Sequence, residues 1–318
     1  QELLLAQVGR LRPSSREALR RGAVVGDSFP TWLVETLYPE PHAQPDLRDA
    51  LAQAARRSLI APPPPESTHA FTSSPLHEAV YQTLSHSLRR AWHERLGDVL
   101  ADADEATRYE RLEQIAHHYY HSDNVYRAAH FTRLAGDKAR ARQADEAARV
   151  FYAQTVRAAA GSDEDQVMAE WRRAREGLGD IYALGEDSMA ARVAYRAALL
   201  GAPAADANRL RVKLALLSPL LSDVEPEAMA AAHQAASPTG AWRAWLGAAR
   251  VWTHALRDET GAATDLCRDL LPDAGEPVRS LLTQALADLE AGVPLVPYAD
   301  LFALFSHAML RRPAGGAR

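Results

Sequence analysis

The densest run of side chains able to do acid–base or ligand chemistry is His117-His118-Tyr119-Tyr120-His121. His117 and His121 are four residues apart and so share one face of a helix, which is how a metal site can begin. A metal needs one or two more ligands and polar groups to hold them. Position 118 carries His where a zinc-protease helix carries its general-base Glu, and outside this run no Asp, Glu or His cluster has ligand spacing, so no metal is expected. Phosphate binding by a P-loop requires Gly-Lys-Ser/Thr. The two lysines lie instead in Gly136-Asp137-Lys138-Ala139 and Val212-Lys213-Leu214. Gly26-Asp27-Ser28 continues as Phe29-Pro30, which is not a nucleophile elbow. Cys267, the one cysteine, sits in Leu266-Cys267-Arg268 of an amphipathic segment, the setting of a half-buried core thiol. The sequence therefore points to no catalytic residue and no cofactor.

The elements that position these residues follow from composition. The chain has 318 residues, 47% of them hydrophobic, enough for about two domains with substantial cores. The 36 basic and 41 acidic residues leave a net charge of −5, so the long-range field that draws proteins onto nucleic acid or anionic lipid is missing. A single cysteine excludes an intrachain disulfide and a thiolate-built zinc site, and a cytoplasmic setting fits it. No apolar run approaches the about 18 residues of a membrane span. The chain opens Gln1-Glu2-Leu3 with no initiating Met, and a fragment of a longer polypeptide is expected.

Abundant Ala, Leu, Arg and Glu, with apolar residues at three- and four-residue steps, predict an all-α chain. Helices are expected near 2–10, 14–24, 30–38, 46–57, 75–102, 107–121, 125–141, 145–160, 165–184, 187–200, 205–220, 225–236, 240–257, 260–271, 277–291 and 297–311. The rhythm breaks at Ser58-Leu59-Ile60-Ala61, Pro62 to Pro65 and His69-Ala70-Phe71, because four prolines cannot continue a helix. Two short strands joined by an exposed arm, as in a winged-helix domain, or a plain loop between helical domains both account for it. The expected division is a winged-helix-like domain with a small β-hairpin, 1–104, and a helical-repeat domain, 105–318.

The second half repeats. Leu178-Gly179, Tyr182, Gly185, Ala191, Tyr195, Ala198 and Pro203 fall at the spacings of the roughly 34-residue tetratricopeptide (TPR) signature. Leu112, Ile115-Ala116, Tyr119 and Ala128 form a partial copy upstream, and Leu134-Ala135, Ala147 and Phe151 another. A TPR-like right-handed α-solenoid follows, with small residues where helices cross. Counting from Ala116, the residues Glu110, Glu113, His117, Tyr120, His121, Arg140, Arg173, Glu176 and Asp180 are expected to face a concave groove and contact a partner, while Tyr119 packs inside.

Ala23-Val24-Val25-Gly26-Asp27-Ser28-Phe29, Leu47 through Leu51 and Arg57-Ser58-Leu59-Ile60 together resemble the winged-helix part of bacterial STAND-type signalling ATPases, regulators coupled to adenylyl-cyclase or LuxR-like output domains. Phe71, Leu76, Tyr81, Leu84, Arg89-Arg90, His93 and Arg95-Leu96, then Ile115-Ala116-His117-His118-Tyr119 and Ala135-Gly136-Asp137-Lys138-Ala139, resemble the segments that lead that family into its helical repeats. The chain departs from the family's Phe-Arg-His signature, with Thr72 and Ser73 after Phe71. The resemblance implies a non-catalytic sensor region of a larger ATPase. It would bind a protein or peptide and relay the signal to nucleotide-binding and output domains of the same polypeptide. The alternative is a DNA-binding regulator with a peptide-sensing repeat domain, although helix 46–57 sets Arg48, Arg56 and Arg57 against Asp46 and Asp49.

Overall fold

The structure, a computed structural model, describes residues 2–39, 46–61, 68–217 and 241–310. It is mostly helical with one small sheet, and no helix among the described residues is long and apolar enough to cross a membrane. Two compact units divide between Ala135 and Gly136.

The first unit begins with α1 (Glu2–Gly9) and α2 (Pro13–Val25). Pro13 suits the first turn of α2, where its missing N–H has no intrahelical partner to lose. After β1 (Ser28–Pro30) come α3 (Thr31–Thr36) and α4 (Leu47–Arg56). The Asp46 carboxylate caps α4, accepting from the Asp49 N–H at 3.0 Å. β2 (Ile60–Ala61) and β3 (Thr68–Phe71) complete an antiparallel sheet of order β1-β3-β2, with Phe29 opposite His69 and Ile60 opposite Phe71. The two strands expected around the proline arm are present, and the arm itself, Pro62 to Pro65, lies outside the described residues. β1 was not expected. Proline favours an extended residue before it, and burying Phe29 completely between helix and sheet rewards three residues of strand.

The single helix expected over 75–102 is two, α5 (Ser74–Gln82) and α6 (His86–Ala101). Short polar side chains offer the backbone an alternative to the helical ladder. The Thr83 hydroxyl donates to the Val80 carbonyl at 2.6 Å, and Ser85 Oγ accepts from the Leu88 N–H at 3.3 Å to start α6. The expected helix 107–121 likewise splits into α7 (Glu105–Glu110), capped by Asp104, and α8 (Leu112–Tyr120). α8 packs on α6, and α7 on α8, so both belong to the first unit although the sequence assigns them to a domain 105–318. At the α6–α8 crossing, a Cβ on Gly97 would lie 2.9 Å from the buried Tyr119 ring. The unit division falls within α9 (Val125–Ala141).

In the second unit α10 (Asp145–Ala158), α11 (Asp165–Leu184), α12 (Ser188–Leu199) and α13 (Ala204–Leu217) pack in succession. Buried tyrosines fill the places where glycine removes a side chain. The Tyr152 ring lies against Gly136 and Gly177, each of whose Cβ would sit 2.6 Å from it. Then come α14 (Ala241–Leu256), α15 (Thr260–Leu270), α16 (Val278–Glu290) and α17 (Tyr298–Phe305). Trp245, Trp252, Phe302 and Phe305 are buried in one core with Leu216 and Val251. The Trp252 indole N–H donates to the Val296 carbonyl at 2.9 Å, and the Tyr298 hydroxyl to that of Leu216 at 2.9 Å, so each buried polar tip finds an acceptor. Cys267 is fully buried on α15, its thiol 3.7 Å from the Leu282 carbonyl, and burial pushes its pKa up to about 11. Residues 306–310 continue α17 as a π-helical turn that packs on α11. The expected helix 225–236 and the tail from Arg311 lie outside the described residues.

Candidate functional site

The first unit gathers four imidazoles where α6 meets α8. His93 is buried on α6, a helix whose apolar positions Trp92, Leu96 and Leu100 turn the same side inward. His118 is buried on α8 beside Ile115 and Tyr119. The two Nδ1 atoms are 3.0 Å apart, so one nitrogen donates and the other accepts. His93 Nε2 is 2.9 Å from the hydroxyl of Tyr81 on α5, and the Arg89 guanidinium lies over that tyrosine ring at 4.9 Å. His117 and His121, on the exposed side of α8 and at its C-cap, stack toward the same point, with ring centroids 5.7 and 5.2 Å from that of His93. His121 Nδ1 donates to the His117 carbonyl at 2.8 Å.

Burial and mutual repulsion disfavour the charged forms of His93, His117 and His118. Desolvation first, then His118, His121, His117 and Arg89, push the His93 pKa down to about 2. Burial, with His117 and His121 adding to it, lowers His118 to about 3. Partial desolvation and then His121 bring His117 to about 4, although its residue surface remains open. Neutral imidazoles carry lone pairs, the form in which histidine accepts a proton or a metal. A cleft of about 310 Å³ opens beside the cluster at His121 and is lined also by Tyr81, Arg89, Arg90 and Tyr120.

The second unit holds a different polar centre, built on α11. Lys213 Nζ donates to Glu176 Oε1 and to Asp180 Oδ1, both at 2.6 Å. Arg209 meets both Glu176 oxygens at 2.8 Å in the bidentate geometry its planar fork favours. Arg140 reaches Asp180 Oδ2 at 3.1 Å, and the Tyr195 hydroxyl donates to Asp180 Oδ1 at 2.7 Å. Burial by itself would raise the Glu176 pKa, but Lys213 and Arg209 more than reverse this and hold the carboxyl down to about 2.

Of the nine residues expected to line a groove, the structure therefore turns three inward. Arg140, Glu176 and Asp180 are only 3%, 3% and 1% exposed. Their ion pairs satisfy one another, which is the arrangement that lets charge be buried, and they do not present a surface to a partner. Arg173, on the same helix, is exposed. In the first unit Glu110, His117 and His121 are exposed and Glu113 and Tyr120 half-buried. The expected inward packing of Tyr119 is observed.

The sequence reading missed Tyr81 and His93 as neighbours of the histidine run, because the contact depends on how α5 and α6 fold back over α8. It also missed Lys213. Its scarcity was a signal, since one of only two lysines stands between Val212 and Leu214, where an unpaired ammonium is costly.

The chain matches no family model, no curated protein and no solved structure.

A second cleft of the first unit, about 620 Å³, lies along α6 and the start of α9. Arg95, Asp98, Asp102, Tyr126, Arg127 and His130 line it. Tyr126 stacks on His130 with centroids 5.7 Å apart, and Arg127 pairs with Asp98 and the Tyr119 hydroxyl.

Proposed function

We propose that the chain is a non-catalytic regulatory region of a larger signalling ATPase, which binds a protein or peptide partner and relays that event through its first unit. The observation that carries this reading is the open cleft between α6 and α9. Its mixed charge and its exposed tyrosine suit a polar peptide segment: aromatic rings and arginine give contact area, and carboxylates give direction. The order β1-β3-β2, with helices before β1 and before β2, supports a winged-helix-like first unit. The Gly–Tyr crossings on α11 support TPR-like packing in the second. Relay would be a population shift, with the partner preferring one packing of the helices to another.

Charge favours this reading over DNA binding. On α4, Asp49 pairs with Arg12 at 2.6 Å and with Arg56 at 3.7 Å, so carboxylate is interleaved with the arginines and weakens the field a phosphate backbone would meet.

The test is affinity capture by the tagged full chain and by its Arg95→Glu/Tyr126→Ala variant, followed by titration of the captured protein in purified form. Direct binding weakened at least about tenfold by the variant supports the reading. Binding unchanged in the variant, or ATP turnover by the purified chain, overturns it.

A further inference from the structure

We infer that His93, His117 and His118 form a three-imidazole site for a divalent transition ion of the zinc class, tying α6 to α8. Ligand nitrogens of the three lie within 4.8 Å of one another. Tetrahedral zinc–imidazole bonds of about 2.0–2.1 Å place ligand nitrogens about 3.3–3.4 Å apart. The His93 and His118 Nδ1 atoms, at 3.0 Å, already stand close to that spacing. His117 is on the exposed side of α8 with a ring nitrogen already within 4.8 Å of the other two ligands, and its χ angles have staggered wells through which to close that gap.

The surroundings are those a ligated imidazole needs. A metal-bound histidine keeps its tautomer and orientation when its other nitrogen donates to a fixed acceptor. Tyr81 Oη, 2.9 Å from His93 Nε2, is that acceptor and leaves Nδ1 for the ion. His121 Nδ1 donates to the His117 carbonyl at 2.8 Å, so His121 stays beside the site without being one of its three ligands. The donor set holds three nitrogens and no carboxylate, which selects zinc, cobalt, nickel or copper over magnesium or calcium. A solvent-open cleft lined by Tyr81, Tyr120 and His121 adjoins the cluster. Arg89, over the Tyr81 ring, opposes a cation and moderates the affinity without taking any ligand nitrogen.

This site goes beyond partner binding and fails or stands independently of it. The experiment is titration of the full chain, stripped with a chelator, first with Zn²⁺ by calorimetry and then with Co²⁺ by visible absorption. The expected result is one saturable equivalent per chain and the intense visible bands of tetrahedral cobalt. His117→Ala and Tyr81→Phe should each weaken binding at least about tenfold, while His254→Ala, in the second unit, should leave it unchanged. Circular dichroism checks that each variant is folded. If His117→Ala does not fold, the wild-type cobalt spectrum and Tyr81→Phe decide. No saturable binding, a weak octahedral cobalt spectrum, or wild-type affinity in the folded variants overturns the site.

Discussion

Replacing Gly179 by alanine sets two effects of known size against each other. Gly179 lies inside α11, where alanine ordinarily stabilises a helix by about 0.8–1.0 kcal/mol over glycine. Its Cβ, however, would fall 2.4 Å from Tyr195 Cε1 and 2.5 Å from Cδ1. The ring cannot swing aside freely, since Tyr195 is 1% exposed and its hydroxyl is held by Asp180 at 2.7 Å. Overpacking costs about 1–3 kcal/mol, and a hydrogen bond to a buried carboxylate is worth about 1.5–3 kcal/mol more. The packing loss exceeds the helix gain, and Gly179→Ala should destabilise the second unit by about 1.5–5 kcal/mol. Urea unfolding with an unchanged m-value measures this directly. Gly9→Ala is the control, because nothing lies within 4 Å of a Cβ there, and it should leave stability equal or higher. A Gly179→Ala chain as stable as the parent would refute the close crossing of α11 and α12.

Three further outcomes follow from the buried charges and rings. Lys213→Met leaves Glu176 and Asp180 short of a cation and should cost about 3–5 kcal/mol, a fall in Tm of about 6–20 °C by calorimetry; a fall under about 2 °C would show that the ammonium contributes nothing. The folded pKa values of His93, His117 and His118 lie below the usual imidazole value of 6.5. The unfolded chain therefore takes up protons first as pH falls. Their stabilisation is complete above about pH 6.5 and is lost toward the folded values, by up to about 1.4 kcal/mol per pH unit for each ring that stays neutral. Denaturant midpoints between pH 7.5 and about 5 in the presence of a chelator should decline, and a flat profile would show that the rings are already solvated. Asp46→Ala, which removes the α4 cap, should cost about 1 kcal/mol in the first unit, read as a lower urea midpoint.

Helical content was legible because periodicity and propensity agree over most of the chain. The crossings were legible at Tyr119 and Tyr195, where a small residue and a ring recur at fixed spacing. β1 was not: three residues give too short a pattern to outweigh a helical neighbour, and it becomes a strand only by pairing with β3, which lies far along the chain. The helix break at Thr83–Ser85 was hidden because hydroxyl caps look like ordinary polar surface, and the break near Arg111 because no capping side chain marks it. The inward turn of Glu176 and Asp180 failed for a related reason. Spacing tells which residues share a face of α11, but whether that face meets water or Lys213, Arg209 and Arg140 depends on contacts from other helices. The histidine run was visible, yet His93 stands 24 residues before His117, too far for spacing to join them.

The hidden sulfhydryl of Cys267 has a practical consequence. Thiolate is the reactive form of cysteine, and a chain whose sole thiol is both enclosed and kept protonated offers maleimide dyes no native target while folded. Leu88→Cys and Val193→Cys, at positions 38% and 59% exposed, would then each take a single fluorophore. A doubly labelled molecule would turn any rearrangement of one unit against the other into a change in energy transfer, with no need to remove a background signal.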